Sequence, residues 1–278
     1  MFMKKNYIYI LTAFLIFIFL LFDTAKSQTA DDALDISGFK FIKTINANDN
    51  LERIKEIKKE KYKIAIIIDD FGNDISTAEK FIDSKINYTV SIIPFLKYST
   101  ICAEYAKKTG KEIMLHLPME PENNKRVEQE MITVNMNKNN LERFINASLK
   151  NIPGSKGVNN HMGSKATKNY GTMYQALEFL SKKNLYFVDS LTAFNSSCEN
   201  VSKNLKIKFA KRDIFLYNFD SLPYIQNRLN ELISTAKNNS TAIGIGHARL
   251  NTFTAIENFR STFEEENIEI VFVKDILK

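Results

Sequence analysis

The sequence predicts an α/β fold, a β/α barrel of seven to eight parallel strands, and three observations carry that expectation. A continuous β-branched run, Ile64-Ala-Ile-Ile-Ile68, has the composition of a strand buried on both faces. Strand-like and helix-like stretches then alternate to the C-terminus at ~30-residue spacing, as right-handed β-α-β units require. About eight strands in the ~215 residues available fit a barrel at the small end of its size range. An open doubly wound sheet is the alternative, and in both the functional groups collect past the C-terminal ends of the strands.

The elements follow in order. Lys4 and Lys5 precede an apolar run from Tyr7 to Phe22, and Ala25-Lys26-Ser27 comes soon after. Residues 1–27 therefore read as a secretory signal or an N-terminal membrane anchor. A span of ~24 Å at helical rise falls short of a ~30 Å hydrocarbon core, so both remain open. The preceding positive charge sends the remainder out of the cytoplasm, to the periplasm or cell envelope. Residues 28–61 read as a linker that ends in the charge-dense Leu51–Lys61, and residues 62–278 as the working domain. Strands are expected at Ile64–Ile68, Tyr88–Ile92, Glu112–Leu115, Gly157–Asn159, Leu185–Val188, Ile207–Phe209, Ala242–Ile245 and Glu269–Val273. Helices are expected around Ala78–Ile82 and at Ser99–Lys108, Leu141–Leu149, Tyr170–Lys182, Leu222–Lys237 and Thr252–Glu265.

Composition narrows the function. The 38 Lys and Arg and 32 Asp and Glu are mostly interspersed, so the net charge of +6 describes a solvated surface rather than a nucleic-acid site. Two cysteines build neither a zinc ribbon nor a disulfide framework. Cys102 and Cys198 are expected as unpaired buried thiols, with a bridge as the alternative an oxidising compartment permits.

The three histidines are more telling. His116, His161 and His247 each follow a predicted strand, and Asp69-Asp70 follows the first strand directly. Adjacent carboxylates at a buried strand end repel each other unless a metal or a shared proton intervenes. Asp74, by contrast, suits a helix N-cap. Asp189 marks a further polar strand end and is a candidate to orient one histidine. Parallel strands bring such ends to one rim, where two His and one Asp form a set with positions left open for water and substrate.

In these segments the chain resembles the divergent polysaccharide deacetylases, a distant branch of the metal-dependent carbohydrate esterases. The matching segments are Ile66-Ile-Ile-Asp-Asp-Phe-Gly72, His116-Leu-Pro-Met-Glu-Pro121, Gly157-Val-Asn-Asn-His-Met-Gly-Ser164, Phe187-Val-Asp-Ser190 and Ile245-Gly-His-Ala-Arg249. The resemblance implies a distorted, TIM-like barrel of the glycoside hydrolase/deacetylase type. It implies Asp69 as base, Asp70, His116 and His161 as ligands of a divalent metal, zinc foremost, and His247 as acid. Glu120 stands where related enzymes carry a second histidine and is a candidate to approach metal or substrate. Asn160 and Arg249 are candidates for substrate contact or for support of the ligands. The expected reaction removes acetyl groups from an envelope polysaccharide or peptidoglycan-like glycan. The rival is an inactive metal- and glycan-binding envelope protein, favoured by the missing histidine and the absence of tryptophan.

Overall fold

The structure is a computed structural model that describes residues 61–123 and 130–277. The expected signal or anchor and nearly all of the linker lie outside the described residues. Strand β1 (Tyr62–Phe71) is the expected buried run, and its neighbours are all parallel to it. The other strands are β2 (Tyr88–Ile92), β3 (Glu112–Met119), β4 (Gly157–Met162), β5 (Tyr186–Asp189), β6 (Phe209–Lys211), β7 (Ile214–Phe215), β8 (Thr241–His247) and β9 (Ile268–Val271). Their order is β6-β5-β4-β3-β2-β1-β8-β7, with β9 beside the first half of β1.

The sheet curls into a distorted barrel. Its last gap is spanned by the chain itself: β6 pairs with β5, β7 pairs with β8, and only Arg212 and Asp213 separate them. Asp213 pins this bend, its carboxylate accepting from the Ile243 backbone N–H at 2.8 Å.

Helices α1 (Ile75–Asp83), α2 (Ser99–Lys108), α3 (Lys138–Asn151), α4 (Tyr170–Lys182), α5 (Cys198–Leu205), α6 (Leu222–Asn239), α7 (Leu250–Asn258) and α8 (Arg260–Glu265) cover the outside. Each starts for a local reason where a cap is present. Asp74 accepts from the Ser76 and Thr77 backbone N–H groups at 3.0 and 3.3 Å, Asn137 caps α3, and Asn169 caps α4. Helix α1 turns Ala78, Phe81 and Ile82 inward, at the expected spacing. The expected helix Thr252–Glu265 is interrupted at Phe259, which ends α7 and begins α8. Helix α5 and strand β7 were not expected, and β6 lies two residues later than the expected Ile207–Phe209. Cys102 on α2 and Cys198 on α5 are both buried and unpaired.

Side-chain parity sorts the core into two layers. Ile64, Ile66 and Ile68 of β1, Ile113, Leu115 and Leu117 of β3, Val158 of β4 and Phe187 of β5 pack outward against the helices. Ala65, Ile67, Met114, Tyr186, Val188, Ile243 and Ile245 form a separate cluster inside the barrel. This is the two-residue period of strands acting on both faces at once. Gly157 lies on the inner face, where an added Cβ would sit 2.0 Å from the Tyr186 ring. Gly157→Ala should therefore lower stability by about 1–3 kcal/mol through overpacking. Thermal unfolding would show this, and an unchanged midpoint would mean that the ring has room to move.

Candidate metal centre and active-site cleft

The inner parity that fills the barrel with apolar side chains also delivers the polar ones at its C-terminal mouth. Two residues beyond Ile67 comes Asp69, two beyond Met114 comes His116, and two beyond Ile245 comes His247; His161 lies four beyond Gly157. Asp70, by the same rule, should point outward into the helices.

A β-bulge prevents that. Ile68 pairs with Val90 and Phe71 with Ile92, so Asp69 and Asp70 together oppose the single residue Ser91. Asp70 adopts φ +61°, a left-handed conformation uncommon for any residue but glycine. The strain turns its carboxylate to the same side as that of Asp69. Local backbone strain of this kind is a common property of functional sites.

All three histidines are expected just past their strands, yet His116 lies within β3, His161 within β4, and His247 is the last residue of β8. Strand β3 continues through Pro118 to Met119, because beyond Leu115 it pairs only with β4 and has a free edge towards β2. A proline is tolerated at such an edge.

The donor atoms converge closely. Asp70 Oδ1 is 3.3 Å from His116 Nε2 and 3.1 Å from His161 Nδ1, and the two imidazole nitrogens are 3.2 Å apart. Ligands held tetrahedrally at ~2.0–2.1 Å from one ion lie about 3.3 Å from each other. Asp70 Oδ1 is also buried with no hydrogen-bond partner, an expensive arrangement for a carboxylate oxygen unless a cation meets it. The residues therefore fit a divalent ion.

The electrostatics agree. Burial works to raise the Asp70 carboxyl, but the adjoining His116 and His161, with the charges of His116 and His247, hold it far below the usual carboxylate range. Burial would likewise push His116 down, but the adjoining Asp70 carboxylate and the charges of Asp69 and Asp70 raise it. Positive charge is thus in demand at this point, and a bound cation would satisfy it.

A second grouping, Asp69, Asp70 and His247, differs in kind. His247 Nδ1 lies 2.6 Å from Asp69 Oδ1, too close for two ligands on one ion and right for a charge-assisted hydrogen bond. His247 Nδ1–H donates to Asp69, and Phe215 and Tyr217 hold the ring edge-on at 5.2 and 5.1 Å. Burial acts to lower the imidazole, but the bond to Asp69 and the charges of both aspartates raise it. Asp69 Oδ2 faces the ligand set, 3.6 Å from His116 Nε2.

The supporting residue that sequence reasoning missed is Asn159. Its Oδ1 accepts from His116 Nδ1–H at 2.9 Å and from the Ser91 hydroxyl at 2.6 Å, and its Nδ2 donates to Ser190 Oγ at 3.2 Å. That bond places the His116 proton on Nδ1 and leaves Nε2 to bind. Asn159→Ala should weaken divalent-ion affinity about 10- to 100-fold, measurable by competition with a coloured chelator. Undiminished affinity would remove Asn159 from this role.

Three expectations need correction or refinement. Asp189 does not orient a histidine. It shares outward parity with Phe187, accepts from the Leu191 backbone N–H at 2.8 Å, and interacts with Cys198 of α5. Glu120 does not approach the ligand set. The β3 ladder ends at Met119, and the Glu120 carboxylate turns to Lys165 Nζ at 2.6 Å and the Val134 N–H at 2.8 Å. Arg249 is exposed at the start of α7 beside Tyr217, outside the cleft lining. Asn160 does line the cleft, accepting from the Ser190 N–H at 2.9 Å and donating to the Met162 carbonyl at 2.7 Å.

Asp69, Asp70, His116, Asn160, His161 and His247 line a cleft of about 490 Å³, within the range of small-molecule sites. Ser190, Thr192, Arg212 and Phe215 complete its walls.

Comparison with known proteins gives a consistent result. Residues 66–277 match the family described as divergent polysaccharide deacetylase. An uncharacterized Escherichia coli (strain K12) protein, YibQ, is 32% identical over 185 residues, covering 66% of this chain. The aligned part spans 58% of that relative's length. An uncharacterized Haemophilus influenzae protein is 29% identical over 195 residues, 70% of each chain. A crystal structure of an uncharacterized Agrobacterium tumefaciens C58 protein superposes with a TM-score of 0.75 at 20% identity, covering 78% of this chain and 89% of that one.

Proposed function

Because the chain belongs to the divergent polysaccharide deacetylase family, we propose that it is a metal-dependent hydrolase removing acetyl groups from an envelope polysaccharide. The observation that carries this reading is the meeting of Asp70 Oδ1, His116 Nε2 and His161 Nδ1 within 3.1–3.3 Å of one another, on an otherwise unpartnered buried oxygen. A divalent ion held there, zinc foremost, would polarise the acyl carbonyl and make a water acidic near neutral pH.

The chain's own residues supply the proton chemistry. Asp69 Oδ2, facing the ligand set, accepts the proton of the attacking water. Asp69 Oδ1 meanwhile holds the His247 ring through Nδ1–H, and the two aspartates favour the imidazolium, whose Nε2–H delivers a proton to the departing amine or alkoxide. Phe215 and Tyr217 fix that ring, so the acid needs no reorganisation at the moment of reaction. The N-terminal segment would place this domain outside the cytoplasm, where an envelope glycan is accessible.

Purified protein loaded with zinc should release acetate from N- or O-acetylated glycans and stop on chelation, with recovery when metal is restored. Glycan binding without acetate release, across several metals and substrates, would replace this reading with that of a binding protein.

A further inference from the structure

Arg212 has no place in the chemistry above, yet it lines the cleft. It lies at the bend joining β6 to β7, and three contacts fix its guanidinium. Nε donates to the Ser190 carbonyl at 2.8 Å, Nη2 donates to the Leu191 carbonyl at 3.1 Å, and the group lies 5.0 Å from the centroid of the Phe215 ring. All three contacts are to uncharged groups. Among the described residues, no carboxylate forms an ion pair with it; Asp189, Asp69 and Asp213 act only at longer range. Of the five guanidinium N–H donors, two are used and three remain.

Charge balance gives this a direction. A divalent ion would balance Asp69 and Asp70, and its histidine ligands would be neutral. Arg212 is the permanent cation among the side chains lining the cleft, so even with His247 neutral the loaded cleft keeps a positive charge. Burial opposes that charge, and a bound anion would compensate it. A planar, rigid fork matches a carboxylate in two-point contact. A single guanidinium with no lysine in the lining suits a monoanion better than a phosphate dianion.

We propose that Arg212 recognises a carboxylate next to the acetylated position, so that the cleft selects acidic acetylated sugars over neutral ones. This rests on the deacetylase reading of the same cleft.

N-acetylmuramic acid and N-acetylglucosamine are a suitable pair of probes, since they differ by one carboxylate-bearing lactyl ether. Calorimetric titration of the full chain, with and without zinc, should show the acidic sugar bound about 10- to 100-fold more tightly. Arg212→Gln should bring the ratio close to one, and Arg212→Lys should keep part of it. An Arg212 that only braces the 190–191 loop would weaken both sugars equally and lower the melting temperature, leaving the ratio unchanged. That result, or equal or absent binding by the native protein, overturns the proposal. Acetate release is scored separately: selective binding without release refutes deacetylation but not anion selection, and release without selectivity does the reverse.

Discussion

Asp70→Asn should strip the protein of its divalent ion and lower acetate release by about three orders of magnitude. The charge stabilisation a metal supplies at an acyl carbonyl is several kcal/mol, and each 1.36 kcal/mol is about a factor of ten in rate. Asparagine is the informative replacement for a conformational reason. Asp70 sits at φ +61°, and asparagine tolerates that region almost as well as aspartate does. The bulge then survives, and what is lost is the negative charge that faces His116 and His161 through Oδ1 and lies 3.2 Å from His247 Nδ1 through Oδ2. An alanine would add backbone strain and blur the result. Metal content by elemental analysis and acetate release on one sample are the measurements. Full metal occupancy in the variant would show that the ion, if any, sits elsewhere.

The second large effect is expected at His247. His247→Gln should reduce kcat about 10²- to 10⁴-fold, the usual contribution of a positioned acid or base. Metal content should remain that of the native protein, because His247 Nδ1 bonds to Asp69 and does not belong to the ligand set. The two variants therefore separate the neighbouring groupings that share Asp70. One loses ion and rate together, and the other loses rate alone. Loss of metal in His247→Gln would reassign His247 as a ligand and leave the departing group without its proton source.

Much of this arrangement was legible in the sequence, for reasons that can be traced to particular residues. The Ile64–Ile68 run could only be a doubly buried strand, and the scarcity of histidine made three at strand ends conspicuous. The strands run further than their apolar runs suggest. Strand β3 continues through Pro118 because a one-sided strand edge accepts a proline. Counting by twos would have helped elsewhere. Phe187 and Asp189 fall on the same face, which sends Asp189 to the helices, whereas Asn159 is in step with His161 and had to point inward beside His116. Arg212 left no comparable signal. It lies between strands of three and two residues, too short for any periodicity, and the preceding strand was placed two residues early. Helix α5, Cys-Glu-Asn-Val-Ser-Lys-Asn-Leu, offers too few apolar positions to announce a buried face. The bulge at Asp69-Asp70, and its effect on Asp70, appear only in three dimensions.

The bend at Arg212 and Asp213 also bears on how a polymer could reach the reacting groups. A fully laddered cylinder presents a closed ring at its mouth, so a long chain must approach end-on or bow inward. Here the wall between β5 and β8 is two short strands, β6 and β7, either side of the bend, held by short pairings and one aspartate clasp. Under the proposed deacetylase reading, an unbroken glycan would lie crosswise over this sparsely paired side of the rim, bringing interior units of the chain, and not merely its ends, to the acid and the base.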